Sequence, residues 1–180
     1  MFKYDVIVAG GGHAGCEAAI ACAKLGAKTL LASLNLDNIA LMPCNPAIGG
    51  PAKSCLVREV DALGGVMGIA ADATYMQMKM LNSSKGPAVR ALRAQSDKKE
   101  YKSIARHYVE SEENLTLKQV HIVNLIVENN IIKGVIDELG IEYFAPVVIL
   151  TTGTSLEGRI FIGLKSFQQG RLGERSAIGL

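Results

Sequence analysis

Three sets of residues have the types and spacing to do chemistry. The stretch AGGGHAGC, residues 9–16, places Gly10, Gly12 and Gly15 in a G-x-G-x-x-G pattern, with Gly11, His13 and Ala14 between them. In such a pattern the first glycine makes a tight turn. The second admits a pyrophosphate with no Cβ in its way, and the third lets a helix pack close to a sheet. The N–H groups at the helix start then face the phosphates, helped by the helix dipole. A second candidate is Cys44, a thiol between Pro43 and Asn45-Pro46. A third is the cationic group Lys85, Arg90 and Arg93 around a Ser-Ser-Lys-Gly-Pro turn.

The elements that must position these residues follow from their surroundings. Tyr4 to Ala9 is apolar and β-branched, as a buried strand should be. The small-residue run after the glycines predicts a helix ending at Gly26. Ala27 to Ala32 predicts a second parallel strand. Pro51 opens a helix to about Leu63, stopped by Gly64 and Gly65. Tyr75 to Met80 alternates like a strand, and Pro87 is expected to open one long helix to about Val109, burying Val89, Leu92, Ile104 and Tyr108. On that helix Arg90 and Arg93 would share a face, and Arg93 would pair with Asp97. From Leu115 four strand-like runs follow (LTLKQV, HIVNLIVEN, IIKGVID, IEYFA), with Asn129-Asn130 as a hairpin turn. VVILTTG then reads as another buried central strand whose glycine, Gly153, should end near Gly10. The tail from Gly158 is glycine-rich and basic, with no obvious closing element.

Bulk properties narrow the class. The chain has 180 residues, 49% hydrophobic and 20% charged, with a net charge of +2. That is a globular domain with a proper core and too little charge to announce nucleic acid by itself. No apolar run approaches a membrane span, and no secretory or Arg-rich leader is expected, which points to the cytoplasm. The four cysteines form no C-x-x-C, so zinc is not expected and the thiols are read as reduced. Cys16 and Cys22 fall among alanines on the first helix, where packing is their expected role. His107 and His121 have no partner constellation in the sequence.

The predicted fold class is α/β: a Rossmann-like FAD/NAD(P)-binding parallel sheet with an inserted antiparallel β-meander. A second βαβ unit near residue 120 would favour NAD; antiparallel strands stand there instead, which favours FAD. The acidic residue that usually meets the ribose about 20 residues after the glycines is missing. Asn35 is the neutral candidate for that hydrogen bond.

Two longer stretches, CNPAIGGPAKSCLVREVDALGG (44–65) and LNSSKGPAVRALRAQSDKKEY (81–101), resemble the MnmG (GidA) family of bacterial FAD enzymes. TTGTSLEGRIFIGL (151–164) and QGRLGE (169–174) continue the resemblance over essentially the whole chain. The folate-dependent tRNA uracil methyltransferases share a similar glycine start but lack the first two signatures.

The resemblance implies an enzyme that installs an aminomethyl-type group at C5 of the wobble uridine of certain tRNAs. Its partner is the GTPase MnmE, and it uses FAD, NADH, methylene-tetrahydrofolate and glycine or ammonium. It further implies that Gly10 to Gly15 hold the FAD pyrophosphate, and that Ile122 meets the adenine through a strand backbone. Ala177 stands where a Ser commonly contacts FAD. Cys44, by position alone a structural thiol, matches a catalytic cysteine whose thiolate would add to C6 of the uracil or exchange electrons with the flavin. Lys53 is retained from the family pattern; Cys55 replaces a His, and Pro51 and Ser54 also depart from it. Lys53, Lys85, Arg90 and Arg93 become candidates for flavin, folate or tRNA phosphate.

Family members are homodimers several times longer than this chain. Residues 1–180 are therefore expected to be an incomplete FAD-binding domain, truncated relative to the family. The NADH-binding insertion and the helical domain that holds MnmE would lie outside it. Two other readings remain: a stand-alone flavin-dependent oxidoreductase, and a non-catalytic FAD-binding fragment.

Overall fold

The computed structural model describes residues 2–180. These fall into two compact units, one formed by residues 2–39 and 112–180 and the other by residues 40–111. The first unit begins with β1 (Phe2–Lys3), β2 (Val6–Ala9), α1 (His13–Lys24) and β3 (Thr29–Ser33). The second contains β4 (Ala47–Gly49), α2 (Lys53–Ala62), α3 (Met67–Thr74), β5 (Tyr75–Leu81), β6 (Ala91–Ser96) and α4 (Lys98–Ser111). The chain then returns to the first unit with β7 (Leu115–Gln119), β8 (Ile122–Glu128), β9 (Ile131–Asp137), β10 (Glu142–Phe144) and β11 (Val147–Leu150). It ends with β12 (Arg159–Ile162) and β13 (Lys165–Gln168).

The first unit is Rossmann-like. Its parallel sheet has the order β11-β2-β3-β7, and every residue of β2 and β3 is buried. Apolar burial on both faces explains why these runs do not alternate. Helix α1 buries Gly15, Cys16, Ala19, Ile20 and Ala23, a narrow small-residue face that suits close packing on the strands. It ends as expected at Gly26, where φ is 85° and Ala27 N–H donates back to the Cys22 carbonyl. Beside this sheet lies the meander, with the order β1-β10-β9-β8. Asn129 and Asn130, at φ 51° and 61°, make the hairpin turn between β8 and β9.

Four sequence expectations need correction. LTLKQV does not join the meander; as β7 it pairs parallel with β3, Leu115 opposite Thr29. VVIL is not central: β11 pairs with β2 alone among the described strands, and Val147 and Leu150 are exposed. The tail is not without structure, because β12 and β13 form an antiparallel hairpin. The long helix from Pro87 does not exist either. A 3-10 turn (Pro87–Val89) leads into β6, and α4 starts only after Asp97. Asp97 Oδ1 accepts from Lys99 N–H at 2.8 Å and Glu100 N–H at 3.0 Å, so its carboxylate caps the helix rather than pairing with Arg93. Those backbone bonds, Glu100's foremost, hold the Asp97 carboxyl below its ordinary range. Of α4, it is Tyr101, Ala105 and Val109 that are buried. Helix α3, unanticipated, packs between α2 and α4.

A buried polar knot closes the meander. Asp137 Oδ1 accepts from Leu139 N–H at 2.9 Å and Ile141 N–H at 2.8 Å, and its Oδ2 accepts from Tyr143 Oη at 3.2 Å. Tyr143 is buried and stacks on Phe2, while Lys118 Nζ lies 4.2 Å from the centre of the Phe2 ring. Burial first, then the Asp137 charge, pushes the Tyr143 hydroxyl above its ordinary pKa, which keeps it a donor. Asp137→Ala strands two backbone N–H groups and should cost about 2–4 kcal/mol; Tyr143→Phe should cost about 1 kcal/mol. Urea unfolding checks this order, and equal losses would contradict it.

Candidate functional site: the glycine bend

The bend between β2 and α1 is built from its neighbours. Gly10, at φ 119°, donates its N–H to the Ala32 carbonyl at 2.8 Å. A Cβ at Gly10 would overlap the Thr151 carbonyl, and one at Gly15 would overlap the Gly10 carbonyl oxygen. Thr151 itself docks on the strand end: its N–H donates to Ala9 O at 2.9 Å, and its Oγ1 lies 3.1 Å from Ala9 O and 3.0 Å from Gly10 O. Gly11 is hemmed in by Ile39 and Ser33. Backbone sterics therefore require glycine at Gly10 and Gly15, while at Gly11 a side chain would have to displace those of Ile39 and Ser33.

Gly12 is different. Its φ of −74° suits any residue, and a Cβ there would meet nothing within 4 Å. It is the N-cap of α1, with no side-chain capping bond and no acidic residue in the first turn. Neither backbone strain nor packing accounts for the missing side chain. The helix start presents N–H groups and the positive end of its dipole toward open space. Beside it His13 is half-buried, and burial pushes its imidazole below the ordinary value, so the ring is neutral at pH 7. Ala14 is exposed and Gly15 buried.

The carboxyl ends of the parallel strands meet this bend. Thr151, rather than Gly153, touches Gly10; Gly153 is exposed and opens a 3-10 turn at φ 58°. Asn35, after β3, is exposed, but its Oδ1 already accepts from Asp37 N–H at 2.8 Å. The carboxamide NH2 is the group it would offer a ribose. Ile122 opens β8 and is buried; Val120, two residues before it, donates its N–H to Ser33 O at 2.9 Å. Ala177 is buried and forms a parallel bridge with Leu156. Its N–H donates to Ser155 O and its carbonyl accepts from Glu157 N–H, both at 2.8 Å. With the backbone so engaged, a contact at this position falls to the side chain, where alanine offers no hydroxyl.

The remaining candidates lie in the second unit. Cys44 is exposed, as is Cys55. β4 follows Cys44, and the helix expected from Pro51 is α2, which begins at Lys53. Lys53 is exposed at the first position of α2. Lys85 and Arg90 come together because Arg90 Nε donates to Lys85 O at 3.3 Å while Asn82 Nδ2 donates to Val89 O at 3.0 Å, closing the loop. Arg93 does not join them on a helix face. It sits on β6 directly across from Lys79 of β5, and the like charges disfavour each other unless an anion lies between them.

Sequence reasoning missed Thr151 as the contact at the bend, Lys79 opposite Arg93, and the partners of His121. Strand register supplies the first two. The D-K-K-E run at 97–100, an N-terminal helix signature, would have exposed the break before α4.

Residues 5–180 match the family model described as Glucose inhibited division protein A. Over 178 residues the chain is 54% identical to the tRNA uridine 5-carboxymethylaminomethyl modification enzyme MnmG of Enterococcus faecalis, covering 99% of this chain and 28% of that protein. It also superposes on the GidA structure from Aquifex aeolicus with a TM-score of 0.94 and 54% identity, covering 98% of this chain and 29% of that one. A GidA-related protein from Thermus thermophilus, 23% identical with a TM-score of 0.70, shares the fold; the match covers 98% of this chain and 65% of that one. The chain thus spans under a third of the length of the curated relatives it matches.

Gly15→Ala tests the close approach of α1. Alanine gains about 1 kcal/mol of helix propensity, but overlap with the Gly10 carbonyl should cost about 3 kcal/mol or more. The urea midpoint should fall; an unchanged or raised midpoint would mean that helix and strand end are not in contact.

Proposed function

This chain belongs to the glucose inhibited division protein A family, and from that premise we propose that it is the FAD-binding part of a tRNA-modifying enzyme. The whole enzyme, with MnmE, would add a carboxymethylaminomethyl or aminomethyl group to C5 of the wobble uridine of certain tRNAs. One observation carries the cofactor reading: Gly12 lacks a side chain where neither its φ nor any neighbour forbids one, at an uncapped helix start. A Cβ is missing from the place that a diphosphate would need.

The N–H groups of the α1 start would hold the pyrophosphate, and Gly10, Gly15 and Thr151 fix their direction. Neutral His13 adds no charge to that contact. Asn35 would offer its NH2 to a ribose hydroxyl. Ile122 and Ala177 would border the adenine. When bound, the flavin supplies the two-electron oxidation and reduction that the modification needs. NADH and methylene-tetrahydrofolate are proposed as the reductant and carbon donor of the whole enzyme, with the NADH site outside these residues. A homodimer in the cytoplasm is the proposed working state. The 180-residue chain by itself is proposed to be inactive.

Cys44 is proposed as the nucleophile toward C6 of the uridine; its exposure permits attack. Lys53, Lys85, Arg90 and Arg93 are proposed to meet tRNA or cofactor phosphate. The register that sets Arg93 opposite Lys79 places two cations side by side, which favours an anion there. Such contacts set position and salt dependence rather than sequence.

Gly12→Val separates binding from folding. Its circular dichroism should match the parent, because the Cβ meets no neighbour, and its stability should fall only by the N-cap preference of glycine over valine, about 1 kcal/mol. FAD affinity, read by flavin fluorescence, should fall about 100-fold or more, the loss of two or more charge-assisted hydrogen bonds at roughly 1.5–3 kcal/mol each. Unchanged affinity would remove the pyrophosphate from this bend. In a full-length relative, the equivalent of Cys44→Ser should abolish uridine modification by about 100-fold or more while FAD content stays constant. Retained activity would take Cys44 out of the chemistry.

A further inference from the structure

We propose that His121 is a positioning residue whose imidazole latches the 175–179 segment across the start of β8, at the same end of the parallel sheet as the glycine bend. The location follows from two bonds already described. Val120 N–H reaches Ser33 O at the carboxyl end of β3, and the Ser33 side chain lies against Gly11. His121 comes next in the chain and begins the path into β8.

The ring is read from both sides. Its Nε2 accepts from Ile178 N–H at 3.3 Å. A backbone amide only donates, so in this contact Nε2 is the acceptor and carries no proton. The proton is then on Nδ1, which donates to Glu138 Oε2 at 3.2 Å. Glu138 is itself held by its N–H to His121 O at 2.9 Å and by Arg175, whose Nη2 lies 3.4 Å from Oε2. On its other side the segment is tied to residues 155–157. Ser176 Oγ donates to Ser155 O at 3.0 Å, and Gly179 N–H donates to Glu157 Oε1 at 3.2 Å. A Cβ on Gly179, which has a φ of 100°, would lie 3.1 Å from Val123 O, so the segment presses on β8 as it passes.

The charged groups around the ring are Glu138 and Arg175, with Glu157 on the far side of the segment. The His121 hydrogen bond first, with the Arg175 charge behind it, holds the Glu138 carboxyl below its ordinary value. Glu138 is therefore ionised at neutral pH and keeps its oxygens as acceptors for the ring and for Arg175. The segment carries Ala177, so the consequence for cofactor affinity rests on the flavin reading; the latch itself does not.

Amide exchange on the whole chain without cofactor tests it. In the parent the Ile178 amide should be protected about tenfold over that in His121→Ala. His121→Gln keeps an acceptor near the Nε2 position, so its protection should approach that of the parent. His121→Ala protected like the parent, His121→Gln as unprotected as His121→Ala, or ¹⁵N shifts that put the proton on Nε2 would each overturn the proposal. FAD titration of the same variants is the second arm. FAD affinity should fall in His121→Ala and be restored in His121→Gln. If the exchange behaves as expected and neither parent nor variant binds FAD, the latch stands and the flavin reading falls.

Discussion

The close approach of α1 to the carboxyl end of β2 is the constraint on which the rest depends. The helix can sit there only because Gly15 offers no atom to the Gly10 carbonyl and Gly10 offers none to Thr151. Thr151 reinforces the approach by placing its hydroxyl between the Ala9 and Gly10 carbonyls. Once these are in place, the helix start cannot retreat behind the sheet, and its N–H groups are held facing outward. Gly12 then needs no steric reason to be glycine, which is why its bareness is informative.

The strands around that junction are arranged to serve it. β2 and β3 are buried throughout and give the bend a rigid base. β7 extends the sheet on one side and β11 on the other, and the chain passes directly from β7 into the meander through Val120, His121 and Ile122. The Asp137–Tyr143 knot lies at this same end of the meander, because Asp137 pairs opposite Ile122, so the entry into β8 is held both by the knot and by the bond of Val120 to Ser33. The residues of the second unit add thiol and cations on a different scaffold, a three-stranded antiparallel sheet with three helices.

Legibility in the sequence tracked how local each signal was. The glycine spacing, the Gly26 stop and the Asn129-Asn130 turn depend on a few adjacent residues, and each is present. The segment after Pro87 misled because Ala91 to Ser96 carries good helix formers, while its pairing with β4 and β5 is a long-range choice that propensity does not record. β7 looked like a member of the meander because period alone does not tell a parallel edge from an antiparallel one. The strand pattern of VVILTTG brings its carboxyl end to Gly10, 141 residues away from Thr151, but not the residue that makes the contact, which is Thr151 and not Gly153. The His121–Ile178 bond joins positions 57 apart in segments without a shared pattern, and no local reading reaches it. The candidate site was therefore legible in its loop and strand ends, and hidden in the side chains that tie them together.

The central claim is that the bare helix start at Gly12 receives a diphosphate. A ¹H–¹⁵N titration of the chain with FAD tests it at the atoms concerned. The account predicts that the amides of Gly12, His13, Ala14 and Gly15 move together and saturate with the flavin signal. Saturable FAD binding that leaves these four amides in place while others shift would contradict it.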